Sequence, residues 1–252
     1  MIVSVVIITK NEGHIIGKTL QSLQGITDDI IIVDSGSTDN TLEICRQFNA
    51  TIIEPGWNGY GPNKNKGIAA AKNDWILNLD ADEVIDETAR QSLLALLPAD
   101  DNEVFELQYK NFFIDKWIRH GEWGTDKHIR LFNRNMIKWN EAAVHESLTV
   151  NPDTTITLLK GYILHYTVHS LAEYERKTIN YAKLNAQKYF EQGKKKNLVK
   201  QYLSPVFSFL HNYFFRLGFL DGAAGFLIAK TTARYTFLKY AYLNQMIRQA
   251  NH

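Results

Sequence analysis

Residues 75–83 read Trp75-Ile76-Leu77-Asn78-Leu79-Asp80-Ala81-Asp82-Glu83, a short apolar run that ends in two carboxylates two positions apart. The run has the length and bulk of a buried strand and is too short for a core helix. Carboxylates do not sit unpaired in a core, so Asp80 and Asp82 belong at the carboxyl edge of a sheet. Open α/β folds place their ligands at that edge. An Asp-x-Asp there suits a hard divalent cation that also holds phosphate oxygens. Taken alone, the triplet also fits an ordinary acidic turn.

The first hundred residues set this run in a regular alternation. Strands are predicted at 3–8, 29–33, 51–53 and 75–79, rich in Ile and Val, with helices at 12–23, 40–48, 64–72 and 87–97 between and after them. Asn40 with Glu43 resembles a capping box, Asp86 is a cap for the following helix, and Pro98 closes it. The pattern is βαβαβαβ, a mostly parallel sheet with right-handed crossovers. From Glu103 the rhythm changes. Residues 103–109, 127–132, 137–139 and 155–159 read as strands without intervening helices, an antiparallel or mixed extension. The stretch 111–125, with Phe112, Phe113, Trp117, Trp123, Gly121 and Gly124, is either a site wall or a core edge, and 170–192 is a long helix.

Charge divides the chain. Residues 1–159 carry 14 Lys/Arg against 23 Asp/Glu, and residues 160–252 carry 14 against 4. An acidic front and a basic tail face different partners. Anionic lipid and nucleic acid both fit the tail on charge alone. Residues 198–229 are apolar and aromatic but broken by Pro205, His211, Arg216, Gly218 and Asp221, which disfavours a spanning helix. Two amphipathic helices on a membrane surface, with Lys194, Lys195, Lys196 and Lys200 at lipid phosphates, or a pair of core helices, are the two readings. The single cysteine, Cys45, excludes an intrachain disulfide and fits a reducing compartment, and the start of the chain has no secretory-signal pattern.

Three strand ends converge if the sheet winds as predicted. They offer Thr9-Lys10-Asn11-Glu12, Asp34-Ser35-Gly36-Ser37-Thr38-Asp39 and Asp80-Ala81-Asp82. Asp34 is placed to accept hydrogen bonds from a nucleobase or ribose, while Ser37 and Thr38 suit helix capping. Neither GxGxxG nor GxxxxGK[ST] occurs, which argues against a dinucleotide fold or a P-loop ATPase. Asn63-Lys64-Asn65-Lys66-Gly67 is predicted to open the third helix, where lysines would oppose the helix dipole unless they meet a diphosphate.

Asn11-Glu12, Asp34-Ser35-Gly36-Ser37-Thr38-Asp39, Asn65-Lys66-Gly67 and Leu79-Asp80-Ala81-Asp82-Glu83 resemble the ordered motifs of glycosyltransferase family 2, enzymes of the GT-A fold. Further on, Arg130-Leu131-Phe132, Val144-His145-Glu146 and Gly218-Phe219-Leu220-Asp221-Gly222 resemble the branch containing lipopolysaccharide inner-core β-1,4-glucosyltransferases. The resemblance implies a GT-A-like α/β fold with a mixed, mostly parallel sheet and a helical C-terminal appendage. It would divide as a catalytic domain over 1–192 (nucleotide half 1–100, acceptor half 101–170, long helix 170–192) and a basic appendage over 193–252.

By the same resemblance, Asp34 would read a UDP-sugar with help from Thr9, Asn11 and Glu12, Lys66 would sit near the diphosphate, and Asp80 would bind ribose or metal-linked water. Asp82 would coordinate Mg²⁺ or Mn²⁺, with His165 as a further ligand or else a structural histidine. An inverting transfer needs a general base, and Glu146 is the first candidate, with His145 orienting it; Asp126 and Glu141 compete. Arg130 binds donor phosphate or acceptor, or pairs with a carboxylate. The implied function is transfer of a hexose, glucose first, to the inner core of lipopolysaccharide. The protein would be cytoplasmic, attached peripherally to the inner membrane, with a lipid-anchored oligosaccharide as acceptor and no nucleic-acid partner. The alternatives are a capsule or glycoprotein precursor as acceptor, nucleotidyl transfer on the same fold, or a membrane-associated scaffold with a degenerate nucleotide site.

Overall fold

β1 (Ser4–Thr9) is the strand around which the sheet is organised, parallel to β2 (Asp29–Asp34) on one side and to β4 (Trp75–Asp80) on the other. This computed structural model describes residues 2–124, 126–142 and 146–250. The chain forms two compact units, 1–109 with 126–165, and 110–125 with 166–252.

In the first unit, β3 (Thr51–Ile53) extends the parallel side, and β8 (Lys127–Asn133) pairs antiparallel with β4. With β5 (Glu83–Ile85), β6 (Glu103–Phe113) and β9 (Thr155–Val168) the strand order is β3-β2-β1-β4-β8-β6-β9-β5, a mixed sheet. Helices α1 (Ile16–Ser22), α2 (Thr41–Gln47), α3 (Tyr60–Ala70) and α4 (Glu87–Leu94) flank it. Side chains alternate across a strand. Val5 and Ile7 therefore join one buried cluster with Leu20, Leu77 and Leu107, and Val6 joins the other with Ile68, Phe132 and Trp139.

The predicted α/β order holds, and the differences have local causes. α3 begins at Tyr60, so Lys64 and Lys66 lie inside it rather than at its opening. Asn40 makes no side-chain cap bond; Asp39 takes that place, its Oδ1 accepting from Thr41 N at 3.0 Å. Asp86 caps α4 as expected, accepting from Ala89 N at 2.8 Å. Residues 137–139 form no strand and leave one bridge, Trp139 to Leu148. β5 is an unpredicted strand, three residues long and directly after the acidic turn.

The second unit holds the ends of β6 and β9, the short β7 (Lys116–Trp117), and helices α5 (Leu171–Glu191), α6 (Leu198–Leu210) and α7 (Gly222–Ala250). The aromatic stretch 111–125 contributes to its packing: Phe113 and Trp123 meet Tyr174, with Ile118, Val168 and Ile228 around them. Asp221, 4% exposed, accepts hydrogen bonds from His120 N at 2.8 Å and Arg119 N at 3.2 Å. It therefore clasps the loop after β7. Gly225 lies so close to the Gly218 carbonyl that a Cβ would stand 1.9 Å from it. Among the described residues no helix is long and apolar enough to cross a membrane.

Gly67 explains how closely α3 lies on the sheet. A Cβ there would stand 2.5 Å from Val6 Cγ1 and 2.6 Å from Val33 Cγ2. Gly67→Val is expected to destabilise the protein by about 1–3 kcal/mol, the usual cost of overpacking. A urea-unfolding midpoint unchanged from the native protein would contradict this close approach.

Candidate functional site

Strand register builds the site. Thr9 is the partner of Asp34 across β1 and β2, and Ile8 is the partner of Asp80 across β1 and β4. Thr9, Asp34 and Asp80 thus end side by side at the carboxyl edge, where the sequence motifs predicted convergence. Asp34 Oδ2 accepts from Gly36 N at 2.8 Å and Ser37 N at 2.7 Å, and its Oδ1 accepts from Ser37 Oγ. Asn11, at φ 57°, donates its N–H to Ser37 Oγ at 2.8 Å and accepts from Thr38 N at 2.7 Å through Oδ1. Glu12 N donates to Thr41 Oγ1 at 2.9 Å. The first two motif loops are therefore laced together by side-chain caps. Thr9 Oγ1 is buried without a hydrogen-bond partner among the described residues.

The acidic turn between β4 and β5 rests on a buried charge network. Glu83, fully buried, accepts from Asp80 N at 3.0 Å, from Tyr109 OH at 3.0 Å and from Arg130 Nη2 at 2.5 Å. Arg130 Nε donates to the same Tyr109 oxygen, and Nη2 reaches Asp80 Oδ2 at 3.3 Å. Burial pushes the Glu83 carboxyl upward more than Arg130 pulls it down. Burial also pushes Asp80 upward, but Lys64, Arg130 and His165 outweigh it and hold that carboxyl well below the usual range. Of the two sequence readings of Arg130, its contacts match pairing with carboxylates.

Lys64, one of the two lysines that the sequence offered to a diphosphate, meets carboxylates in this structure. Its ammonium is 2.8 Å from Glu146 Oε1 and 3.5 Å from Asp80 Oδ1, and lies 4.2 Å above the Trp139 ring. One buried ammonium thus stands between the candidate base and the acidic turn. Its signal was its helical spacing: Lys64 shares the buried stripe of α3 with Gly61 and Ile68. Lys66 is exposed on that helix. Glu141 accepts from Asn65 Nδ2 at 3.1 Å. Asp126 pairs with His128 at 3.0 Å, and that hydrogen bond lowers its carboxyl despite partial burial. His128 and His165 both pack edge-on to Tyr109, with ring centroids 5.0 and 5.8 Å away. His145 lies outside the described residues.

His165 Nε2 stands 3.5 Å from Asp82 Oδ2, and both side chains are partly open, 24% and 15% exposed. An imidazole nitrogen beside a carboxylate oxygen is a donor set that fits Mg²⁺ or, better, Mn²⁺. Burial depresses the His165 imidazolium, but Asp82, Glu83 and Asp80 overcome it and raise its pKa to about 9. A cation would compete with a proton at that nitrogen. In chelator-treated protein the consequence for stability has a definite sign. The folded state holds the proton more tightly than the unfolded chain, whose histidine titrates near ~6.5. The stabilisation is complete below that pH and is lost as pH rises through about 9. Urea midpoints measured across this range are expected to fall, and Asp82→Asn to flatten the fall; equal slopes would dissociate the pair.

Comparison with known proteins gives the family. The family model described as glycosyl transferase family 2 matches residues 4–155. The chain is 30% identical over 251 residues to the lipopolysaccharide core biosynthesis glycosyltransferase LpsC of Rhizobium meliloti, covering 96% of this chain and 92% of that protein. It is 29% identical to an uncharacterized glycosyltransferase of Rickettsia typhi, covering 97% and 87%. Among solved structures, S. aureus TarS 1–349 in complex with UDP-GlcNAc aligns with a TM-score of 0.48 at 15% identity, covering 99% of this chain and 92% of that one. With the family match spanning β1 to the start of β9 and including every motif loop of the acidic edge, the chain belongs to glycosyl transferase family 2.

Proposed function

We propose that this protein is an inverting hexosyltransferase that moves glucose from UDP-glucose to the inner core of lipopolysaccharide, using Mg²⁺ or Mn²⁺. The observation that carries the reaction class is the alignment of Thr9, Asp34 and Asp80 at one sheet edge, with Asp82 on the turn that follows. The similarity to LpsC over nearly the whole of both chains supports the acceptor. In this reading the acceptor is lipid-anchored and the protein works at the cytoplasmic membrane face, attached peripherally. A catalytic role is favoured over a degenerate scaffold because Asp34, Asp80 and Asp82 are kept together, and a dead site need not keep its carboxylates.

The residues divide the work by position. In this reading Asp34, buried and bonded to its own loop, and Thr9 would form the floor of the nucleoside site, with Asn11 and Glu12 holding the Asp34 loop in shape through their backbone and amide bonds. Asp82 and His165 would hold the cation, whose contribution is to offset charge on the departing diphosphate. Asp80, fixed by Lys64 and Arg130, orients that turn. Glu146 takes the proton of the acceptor hydroxyl as its oxygen bonds to C1 of the sugar and the bond from C1 to the β-phosphate oxygen breaks. Lys64, 2.8 Å from Glu146 Oε1, holds that carboxylate in place. Asp126, paired with His128, is the alternative base.

Incubation with a panel of UDP-, GDP- and ADP-sugars, with and without deacylated core oligosaccharide, tests donor and acceptor together. UDP-glucose should give acceptor-dependent nucleotide release; release with a different donor alone would replace glucose in this reading. Glu146→Gln is expected to lower turnover roughly 10²–10⁴-fold with UDP affinity nearly unchanged. Full activity there, with Asp126→Asn inactive, would move the base to Asp126. Asp82→Asn should abolish turnover and weaken Mn²⁺ binding in the presence of UDP, whereas Asp34→Ala should weaken nucleotide binding at every metal concentration.

A further inference from the structure

The buried side chain of α6 is a polar one, Gln201, while most of its apolar side chains are exposed. It meets α7 through two aromatic pairs, Tyr202 with Phe237 and Phe209 with Phe226, and through a polar cluster in which Gln201 accepts from Asn244 Nδ2 at 2.7 Å and Asn244 Oδ1 accepts from Asn197 N at 3.2 Å. Gln201 and Asn244 are 8% and 3% exposed. The opposite face carries Val199, Leu203, Val206, Phe207 and Leu210 at helical spacing, all open to solvent, and Phe214 and Phe215 continue it. Val199, Leu203 and Phe207 are 65%, 63% and 67% exposed and Phe215 is 76% exposed. An apolar stripe of this length normally faces a core. A contiguous exposed patch of this kind marks an interaction surface.

Charge selects the occupant. Residues 192–220 contain Lys194, Lys195, Lys196, Lys200 and Arg216 and no Asp or Glu. The lysines crowd the N-terminal end of α6, where the helix dipole is already positive. An anionic surface relieves that conflict. A two-fold contact with another copy would cover the apolar stripe and bring no acidic residue of 192–220 to these lysines. α6 with 13 residues is about 20 Å long, too short for a hydrocarbon core of roughly 30 Å, so it would lie in the interface plane.

We infer that the outer face of α6, continued through Phe215, inserts into the headgroup boundary of an anionic bilayer, with Lys194, Lys195, Lys196 and Lys200 on lipid phosphates. The inference rests on the membrane-face attachment proposed above and assigns it to one element. Flotation with phosphatidylglycerol-containing vesicles and with pure phosphatidylcholine vesicles tests it on the full chain. The native protein should float with the anionic vesicles, and salt should release part of it by screening. The variant Leu203→Ser/Phe207→Ser/Phe215→Ser, which changes only exposed side chains, should bind at least roughly tenfold more weakly, given the apolar area it removes. Phe215→Cys labelled with an environment-sensitive dye should brighten on the anionic vesicles, since Cys45 is buried and leaves position 215 to the reagent. Unchanged flotation of the triple variant with unchanged dye emission would overturn the assignment. Failure of the native protein to float, or a dimer in light scattering that the triple variant dissolves, would overturn it in favour of another cover for the face. Nucleotide release on the soluble, deacylated acceptor reads sugar transfer separately and should match the native rate in the triple variant.

Discussion

The buried contact between Glu83 and Arg130 is the constraint on which the acidic edge depends. A carboxylate with no solvent exposure is tolerable only beside a cation and full hydrogen bonding. Arg130 on β8 and the Tyr109 hydroxyl on β6 supply both, and Glu83 in turn fixes the backbone of the Asp80 turn through Asp80 N. Two strands distant in sequence, β6 and β8, are thereby tied to one turn. The side chains of Asp80 and Asp82 remain partly open above this network, 34% and 15% exposed.

Around that turn the site is preorganised by short local bonds. Asp34, Asn11, Ser37 and Thr41 are bonded into one network across two loops, so the shape of this edge is set by the fold. Such prior ordering places donors and acceptors before a ligand arrives and reduces the conformational cost of binding it. Lys64 extends the order to the second half of the first unit by joining Glu146 to Asp80. The second unit follows different rules. Its helix contacts include buried Asn and Gln side chains while α6 displays Val, Leu and Phe outward, an arrangement that aqueous solvent alone does not favour.

The sequence by itself determined the elements whose signals are local. Ile- and Val-rich runs marked β1 to β4 because strands covered on both faces are continuously apolar. The glycine-punctuated Asp34 loop and the Asp80-Ala81-Asp82 turn were legible because turn chemistry depends on adjacent residues. Tertiary structure decided the rest. The start of α3 at Tyr60, and with it the choice of Lys64 over Lys66 as the buried lysine, depended on packing against the sheet through Gly67. The partnership of Arg130 with Glu83 joined residues 47 positions apart, and no spacing rule encodes which carboxylate a guanidinium will meet. The outward face of α6 was undecided in sequence for the same reason: periodicity shows that a helix has an apolar side, and only the packed neighbour shows whether that side is covered.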